Sequence, residues 1–570
     1  MNSKILRGAL ATLVAGSLTL GAAQTYEQLI NPPAEEWPQY GRNVMQQRYS
    51  PLDQINTSNV GDLGLAWARD LGFQQTHQGS PSVWDGVMYV STQTGVIALD
   101  GTNGDVVWEY SSPNEGEVIT DSAVRGSPLV FDGMVFFNLR HGVTVAVDAE
   151  SGEEVWSAAV TDAELNEGFS THPIIADGKL VVGRTGGDSG GAPGKIDALD
   201  MENGEILWTF DIVPTDPSHP VYDTWTNPPS WETGIGGGSA WNAGAYDPET
   251  NSVVYGTGQP TPWDRVSDAR QDEDGTVSAD LYTASFVSLD VDTGELNWFH
   301  QVVPGDEWDY DQHTVPIFAD LEIEGEEHRV AILATTTGFV LVIDADSGEI
   351  LAGNQVANET TVHLGYDEDW NPIINPAARF EEVGDFFRVC PHFRWAHIAP
   401  GAYSPETGLL YRPNQIGCTN FGADVVPDDW QPGERAWRAA SGPRDESMWF
   451  ENLGQITAVN PVTGEVAWEW GHDYGHDAGP AVTGGGLLFT TSHDRRFRAL
   501  DAETGEVLFE QVLTAGSRAG TITYAVDGVQ YVASIVGMGT PGTGNIPDYN
   551  PNEVSPPVSG NAAVFVFSLD

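Results

Sequence analysis

Short apolar segments separated by polar turns recur along the chain, and one version of the pattern appears seven times. Each copy is an outgoing strand, a turn built on Asp or Asn and Gly, and a returning strand, and the last position is Trp in five copies. Asp, Asn and Gly are the residues that tight turns between strands favour. The copies are ALDGTNGDVVW (98–108), AVDAESGEEVW (146–156), ALDMENGEILW (198–208), SLDVDTGELNW (288–298), VIDADSGEILA (342–352), AVNPVTGEVAW (458–468) and ALDAETGEVLF (499–509).

The spacing of these copies predicts an all-β, eight-bladed β-propeller with tryptophan-docking motifs. Further hairpins lie upstream of several copies, as in 86–100 and 485–501, and long helical periodicity is scarce. Sheets of about four strands that repeat every 40 to 55 residues or so are typical of propellers. The interval 342–458 is wide enough for two units, and Trp67 lies in a segment that resembles an outer strand closing the ring. A linear solenoid is the alternative architecture.

The N-terminus has the features of a secretory signal peptide. Lys4 and Arg7 precede an apolar run over 9–20, and small residues follow it. We therefore predict a signal peptide over 1–23 and a single propeller domain over 24–570. No Cys lies near the cleavage point, so we expect an exported, periplasmic protein without a membrane anchor.

The charge and the cysteines narrow the function classes. A formal net charge of −58 excludes nucleic acid as a natural partner, because phosphate binding needs basic surface. Such a surface would instead attract a basic partner. The two cysteines, Cys390 and Cys418, lie outside any CxxC or CxxCH pattern, which argues against covalent haem and thiolate zinc. In an exported protein we expect them to form a disulfide.

The densest group of acids is GDEWDYDQ, residues 305–312, with four carboxylates in six positions. Side chains two apart in a strand share a face, so a strand here would point Asp309 and Asp311 the same way. Like charges held that close destabilise the fold unless a cation lies between them. The segment therefore predicts a cation site.

Several of these segments together resemble the pyrroloquinoline-quinone (PQQ) dependent alcohol dehydrogenases. They are the seven repeat turns, residues 37–67, GGGSAWNAGAYDP (236–248) and PGDEWDYD (304–311). The resemblance covers nearly the whole mature chain. It implies an eight-bladed propeller with PQQ at its axis beside a metal ion.

Within this resemblance, Asp188, Gln259, Asp309 and Asp311 match the metal-ligand positions. Carboxylates with one amide form a hard oxygen cage, which suits Ca²⁺ or a lanthanide ion. Asp309 also matches the catalytic base. Asp311 resembles the marker of lanthanide-dependent members, because a trivalent ion compensates one more carboxylate than a divalent ion does.

Other positions match the residues that hold the cofactor. Trp241 matches the indole wall of the PQQ slot, and Arg125 matches the arginine that reaches a quinone oxygen. Gln78 stands where a Glu is usual, Thr336 where a Lys or Arg is expected, and Arg394 where an Asn is expected. The remaining matches are Ser170, Thr185, Gly186 and Gly187.

The resemblance implies a periplasmic PQQ-dependent dehydrogenase that oxidises an alcohol to an aldehyde or ketone. It passes the electrons to a separate acceptor such as a soluble cytochrome c. Two alternatives remain open at this stage. One is a dehydrogenase of the same fold for a polyol, a sugar or a polymeric alcohol, and the other is a non-catalytic periplasmic propeller scaffold.

Overall fold

The computed structural model describes most of the chain outside the predicted signal peptide, which lies outside the described residues. No helix within the described ranges is long and apolar enough to cross a membrane. The described residues are 24–72, 76–113, 124, 126–262, 278–391, 399–423, 439–441, 452–538 and 560–569.

Eight four-stranded antiparallel sheets, called blades 1 to 8 here, make up the described architecture, and each is given from its inner to its outer strand. Blade 1 is Ser82–Trp84, Val87–Ser91, Gly95–Asp100 and Val106–Ser111, and blade 2 is Leu129–Phe131, Met134–Leu139, Val143–Asp148 and Glu154–Ala159. Blade 3 is Ile174–Ala176, Lys179–Gly183, Lys195–Asp200 and Ile206–Asp211, and blade 4 is Ala245–Asp247, Ser252–Gly256, Ser285–Asp290 and Leu296–Gln301. Blade 5 is Ile317–Ile323, Glu326–Ala334, Phe339–Asp344 and Ile350–Gln355, and blade 6 is Ala402–Ser404, Leu409–Gln415, Gly454–Val459 and Val466–His472. Blade 7 is Ala481–Thr483, Leu487–Thr491, Arg496–Asp501 and Val507–Val512, and blade 8 is Ile522–Val526, Val529–Met538, Gly560–Leu569 and Leu63–Asp70.

The remaining elements are short and lie outside these blades, except that Tyr49–Ser50 adds a parallel strand to the inner edge of blade 7. Gly236–Gly237 pairs with Pro260–Thr261, His363–Tyr366 pairs with Pro372–Ile374, and Phe386–Val389, Thr419–Ala423 and Ala439–Ser441 form a three-stranded sheet. The helices are α-helical Glu27–Ile30 and Gly187–Gly190 and 3₁₀-helical Val60–Asp62, Ala163–Leu165, Tyr222–Thr224, Trp231–Thr233 and Pro376–Ala378.

The predicted eight-bladed propeller is confirmed, but one reason for the count is wrong. The wide interval 342–458 does not contain two repeat units. It contains the outer part of blade 5, most of blade 6, and two small sheets. One small sheet pairs His363–Tyr366 with Pro372–Ile374, and the other begins with Phe386–Val389. The eighth blade comes from the chain termini, because Leu63–Asp70 pairs with Gly560–Leu569 as its outer strand. Trp67 lies on that strand, as expected.

The repeated Trp fixes neighbouring blades to one another. Trp108, on the outer strand of blade 1, donates its indole Nε1–H to Ala149 O at 2.9 Å in the turn of blade 2. Gly152 of the same turn has a φ of +72°, and a Cβ there would lie 2.6 Å from the indole. Glycine is therefore needed both for the turn conformation and for the close approach. The same contact recurs at Trp67, Trp156, Trp208, Trp298 and Trp468.

The segment 35–48 follows the inner strands around the hub. Its carbonyl groups accept hydrogen bonds from inner-strand amides of one blade after another, and the Tyr40 ring contacts the His172 ring before blade 3 at 4.5 Å. One segment thus ties together sheets that are far apart in sequence. The accepting residues are Glu35 for blade 8, Trp37 for blade 1, Pro38 for blade 2, Val44 for blade 4, Met45 for blade 5, Gln47 for blade 6 and Arg48 for blade 7.

The expected disulfide is present between Cys390 and Cys418, with Cα atoms 4.5 Å apart. It links the connection between blades 5 and 6, which carries Cys390, to the insertion between the second and third strands of blade 6, which carries Cys418. Both side chains are buried. In the chain-entropy model, a loop of this size stabilises the fold by roughly 3 kcal/mol.

Candidate metal and cofactor site

Three loops at one end of the propeller bring the four predicted metal ligands together. Asp188 lies between the second and third strands of blade 3, and Gln259 lies at the equivalent place in blade 4. Asp309 and Asp311 lie in the connection from blade 4 to blade 5. The Gln259 amide N–H donates to Asp311 Oδ1 at 2.5 Å, and Gln259 Nε2 donates to Asp188 O at 3.3 Å. Residues more than 120 positions apart in sequence therefore share one site.

The segment 305–312 is not a strand but an irregular loop, in which Asp309 has a φ of +66°. Two of its four carboxylates hold the loop in shape. Asp306 accepts hydrogen bonds from the amides of Trp308 at 2.8 Å and Tyr310 at 2.7 Å. Glu307 pairs with Arg379 at 2.8 Å. The other two carboxylates, on Asp309 and Asp311, are the ones close to Asp188.

Burial and mutual repulsion raise the pKa of these carboxyl groups. The pKa of Asp309 lies well above its usual range because of burial and then the charges of Asp311, Asp306 and Asp188. Burial and then Asp188 likewise raise the pKa of Asp311, although the Gln259 amide and the Trp241 indole oppose the shift. Burial raises the pKa of Asp188 to about 6. A cation would relieve this repulsion.

The donor set fits a hard metal ion. Gln259 is 1% exposed, and its Oε1 has no hydrogen-bond partner among the described residues. A buried oxygen of this kind costs free energy unless a ligand satisfies it. Together with Asp188, Asp309 and Asp311 it offers only oxygen atoms, which suits Ca²⁺ or a lanthanide ion better than zinc or copper.

Local backbone features position Asp188. Gly186 adopts a φ of +115° just before the short helix Gly187–Gly190. Gly258 lies against the carboxylate, and a Cβ there would lie 2.5 Å from Asp188 Oδ1. Ser239 donates its amide N–H to the same oxygen at 2.9 Å, and its Oγ accepts from the Asp188 amide at 3.2 Å. We did not predict Ser239 from the sequence.

Trp241 is partly exposed and is held from three directions. Its Nε1–H donates to Asp311 Oδ2 at 2.7 Å, and its carbonyl accepts from Ser170 Oγ at 2.7 Å. One face of the indole stacks on His313, with ring centroids 4.1 Å apart. The predicted cofactor wall and the predicted metal ligand Asp311 are therefore directly linked. His313 was also not predicted.

The other predicted cofactor residues lie on neighbouring loops. Thr185 exchanges two backbone hydrogen bonds with Gly168, which joins the Thr185–Gly187 loop to the segment that carries Ser170. Gln78 is 4% exposed, and its Oε1 has no hydrogen-bond partner within the described ranges. Its amide donates to Val124 O at 2.7 Å.

Two predicted residues, Arg125 and Arg394, lie outside the described residues. Thr336, which stands where a Lys or Arg was expected, is fully buried and accepts a hydrogen bond from Gln312 Nε2 at 2.9 Å. It holds the loop beside the acidic segment and supplies no charge there.

An axial acidic cage beside an indole wall in an eight-bladed propeller is the arrangement of a quinoprotein dehydrogenase. The chain matches the profile of the PQQ family described as glucose/ethanol/alcohol dehydrogenase, beta-propeller domain, over residues 37–127, 161–360 and 435–532. It is 33% identical to the dehydrogenase subunit of a quinone alcohol dehydrogenase from Gluconacetobacter polyoxogenes, over 93% of this chain and 76% of that protein. The chain belongs to the PQQ-dependent alcohol dehydrogenase family.

Solved structures agree with this assignment. Quinohemoprotein alcohol dehydrogenase ADHIIG from Pseudomonas putida HK5 superposes with a TM-score of 0.85 at 30% identity, over 96% of this chain and 82% of that one. A europium-containing methanol dehydrogenase superposes with a TM-score of 0.83 at 26% identity, over 95% of this chain and 100% of that one. The predicted enzyme class and propeller are therefore confirmed.

Proposed function

We propose that this enzyme is a periplasmic dehydrogenase that oxidises an alcohol to an aldehyde or ketone with PQQ and a lanthanide or calcium ion. The observation that carries the proposal is the grouping of the Asp188, Asp309 and Asp311 carboxylates beside Gln259, whose side-chain oxygen is buried and has no hydrogen-bond partner in the part of the chain that the structure describes. Residues 24–570 would act as one propeller domain after removal of 1–23.

The metal ligands that we propose are Asp188, Gln259, Asp309 and Asp311. PQQ, when bound, would supply the two-electron acceptor for the alcohol carbon, and a metal ion held by these ligands would polarise its reactive carbonyl. Trp241, fixed by Asp311 and His313, offers a flat wall for the fused rings of the cofactor. Ser170, Thr185, Gly186, Gly187, Gln78, Arg125 and Arg394 are proposed to hold its polar groups.

Asp309 is proposed to be the general base. Its backbone is held in a strained left-handed conformation, two residues before Asp311. It takes no part in the hydrogen bonds that Gln259 N and Trp241 Nε1 donate to Asp311. Its carboxylate is therefore available to take the hydroxyl proton of the alcohol. Strain of this kind persists where the surrounding structure requires it and is common at active sites.

A lanthanide is the metal that we favour. Three carboxylates converge in the site, and a trivalent ion compensates them fully. The europium in one similar methanol dehydrogenase supports this choice. For the electron acceptor, a net charge of −58 would steer a basic cytochrome c to the enzyme.

Reconstitution tests the proposed function. Protein from a host lacking PQQ should be inactive with an artificial dye acceptor, and PQQ together with Ca²⁺ or a light lanthanide should restore alcohol oxidation. PQQ without metal, metal without PQQ, and NAD serve as controls and should give no activity. Alcohol oxidation with NAD alone would contradict the proposal.

A further inference from the structure

Three predicted cofactor residues that the structure describes in the connections between blades share one register. Gln78, Ser170 and Trp241 each lie four positions before the first residue of the inner strand that follows. Those inner strands begin at Ser82, Ile174 and Ala245. Because the blades repeat around the hub, residues at this count lie at one level of the propeller.

The same spacing, four positions before an inner strand, selects further residues that we did not predict to bind the cofactor. In blade 5 it gives His313, which stacks on Trp241 and so lies at the level of the candidate site. In blades 7 and 8, whose inner strands begin at 481 and 522, it gives Asp477 and Arg518. Blade 8 is four blades from blade 4, so Arg518 lies across the hub from Trp241.

Asp477 and Arg518 form a buried ion pair. Arg518 Nε donates to Asp477 Oδ2 at 2.7 Å, and its Nη2 lies 2.5 Å from the same oxygen. His493 bonds to the other oxygen of Asp477 through Nε2. Asp477 and His493 are each 2% exposed, so the carboxylate that binds Arg518 and the imidazole behind it are almost completely buried. The guanidinium is thereby fixed in one orientation.

One donor group of Arg518 remains available. Its Nη1 has no hydrogen-bond partner among the described residues, whereas Nε and Nη2 are both engaged. The neighbouring Ser517 anchors the loop, because its Oγ donates to Ile535 O at 2.6 Å. A preorganised guanidinium with a free N–H is the group that proteins use to bind carboxylates.

We propose that Arg518 is a further cofactor-binding residue, which donates Nη1–H to a carboxylate of PQQ on the side of the hub away from the metal. Asp477 and His493 are positioning residues that hold the guanidinium. PQQ carries three carboxylates, and a chain with 82 acidic and 24 basic residues needs fixed local cations to bind it. The inference rests on the proposed use of PQQ.

Equilibrium binding of PQQ to the apoprotein tests the role of Arg518. Quenching of tryptophan fluorescence by added PQQ gives the Kd. Arg518→Gln should raise the Kd by roughly 10- to 100-fold, the usual effect of losing a charged hydrogen bond. Arg329→Gln is the matched control, since the Arg329 side chain is 14% exposed against 13% for Arg518 and is likewise paired with a buried carboxylate, that of Asp247. Arg329 lies on the second strand of blade 5, close to the turn between the first and second strands, and not on a loop of the candidate site. The control variant should leave the Kd unchanged.

A second variant separates cofactor binding from folding. Arg518→Gln leaves Asp477 buried without its cation, which destabilises the fold. The double variant Arg518→Met/Asp477→Leu removes both charges, and such replacements of a buried pair are often neutral for stability. It should fold with an unchanged thermal midpoint and still bind PQQ at least about tenfold more weakly.

His493 is tested by the conservative variant. His493→Leu should raise the Kd, whereas His493→Gln, whose amide still donates to Asp477, should restore it. An unchanged Kd in both Arg518 variants, or an equal rise in Arg329→Gln, would overturn this inference while leaving the proposed function intact. Failure of the wild-type protein to bind PQQ would overturn the proposed function and the inference together.

Discussion

At the scale of single residues, the acidic loop divides its carboxylates between structure and chemistry. The Asp306 carboxylate accepts hydrogen bonds from two backbone amides, and the Glu307 carboxylate forms an ion pair with Arg379. Asp309 and Asp311 are left in a buried site where repulsion raises the pKa of both. A sequence shows four acids in six positions, but only the hydrogen bonds distinguish the two that could serve a metal.

Asp309→Asn should nearly abolish turnover while PQQ still binds. An amide cannot accept the substrate proton, but its oxygen can still approach the metal. Loss of a general base costs about 10²- to 10⁴-fold in kcat. Dye-linked kinetics and PQQ titration check this, with Asp292→Asn on an exposed turn as the control. Unchanged kcat would remove Asp309 from the mechanism.

Asp311→Ala should reduce lanthanide-supported activity far more than calcium-supported activity, because a trivalent ion needs the third carboxylate more. Asp311 also accepts hydrogen bonds from Gln259 N and Trp241 Nε1. Asp311→Asn keeps an acceptor for these groups and removes the charge, so it isolates the electrostatic effect. Rates measured against the concentration of each metal decide the matter, and equal loss with both ions would make Asp311 structural.

At the scale of elements, each repeat turn packs as one unit with the side chain on the outer strand of the previous blade, which is a Trp in most cases. The turn of blade 4 is an example, where Trp208 donates to Val291 O at 2.8 Å and lies over Gly294. The turn sequence of one blade therefore determines how the previous blade packs. The same glycine returns in all seven copies, and in six of them it lies against a Trp of the neighbouring blade.

Gly294→Ala should destabilise the propeller by more than its backbone conformation explains. Gly294 has a φ of +72°, and a Cβ there would lie 2.6 Å from the Trp208 indole. Gly178→Ala is the matched control, with a φ of +74° and no atom within 4 Å of the added Cβ. Both variants lose about 1–2 kcal/mol from φ strain, and Gly294→Ala should lose a further ~1–3 kcal/mol from the clash. Urea denaturation measures the difference, and equal losses would contradict the docking role.

At the scale of the whole molecule, charge is distributed very unevenly. The net charge is −58, yet three of the few basic side chains, Arg42, Arg48 and Arg412, are buried near the hub. Burial lowers the pKa of Arg48 to about 10, and its donors all reach neutral acceptors within the described ranges. These three cations are thus withdrawn from the surface, which leaves its acidic side chains less compensated.

The thermal midpoint of the enzyme should rise with salt. Acidic surface charges repel one another over a screening length that falls from about 30 Å at 0.01 M to about 3 Å at 1 M ionic strength. Calorimetry across this range of NaCl, with sucrose of equal osmolality as the control for excluded-solute effects, measures the screening. A midpoint that is flat or falls with NaCl would show that the surface charges do not oppose folding.

The amino-acid sequence by itself determined the propeller, because the turn chemistry is a local signal repeated seven times and is followed by a Trp in five of the copies. It also indicated the disulfide and, through the family resemblance, the residues that the structure gathers at one end. It misassigned the 342–458 interval and left the conformation of 305–312 open, because insertion length and loop shape depend on contacts with distant residues. Ser239, His313 and the Asp477–Arg518 pair emerged only from the tertiary structure, since their roles depend on register relative to inner strands that closure of the ring brings together.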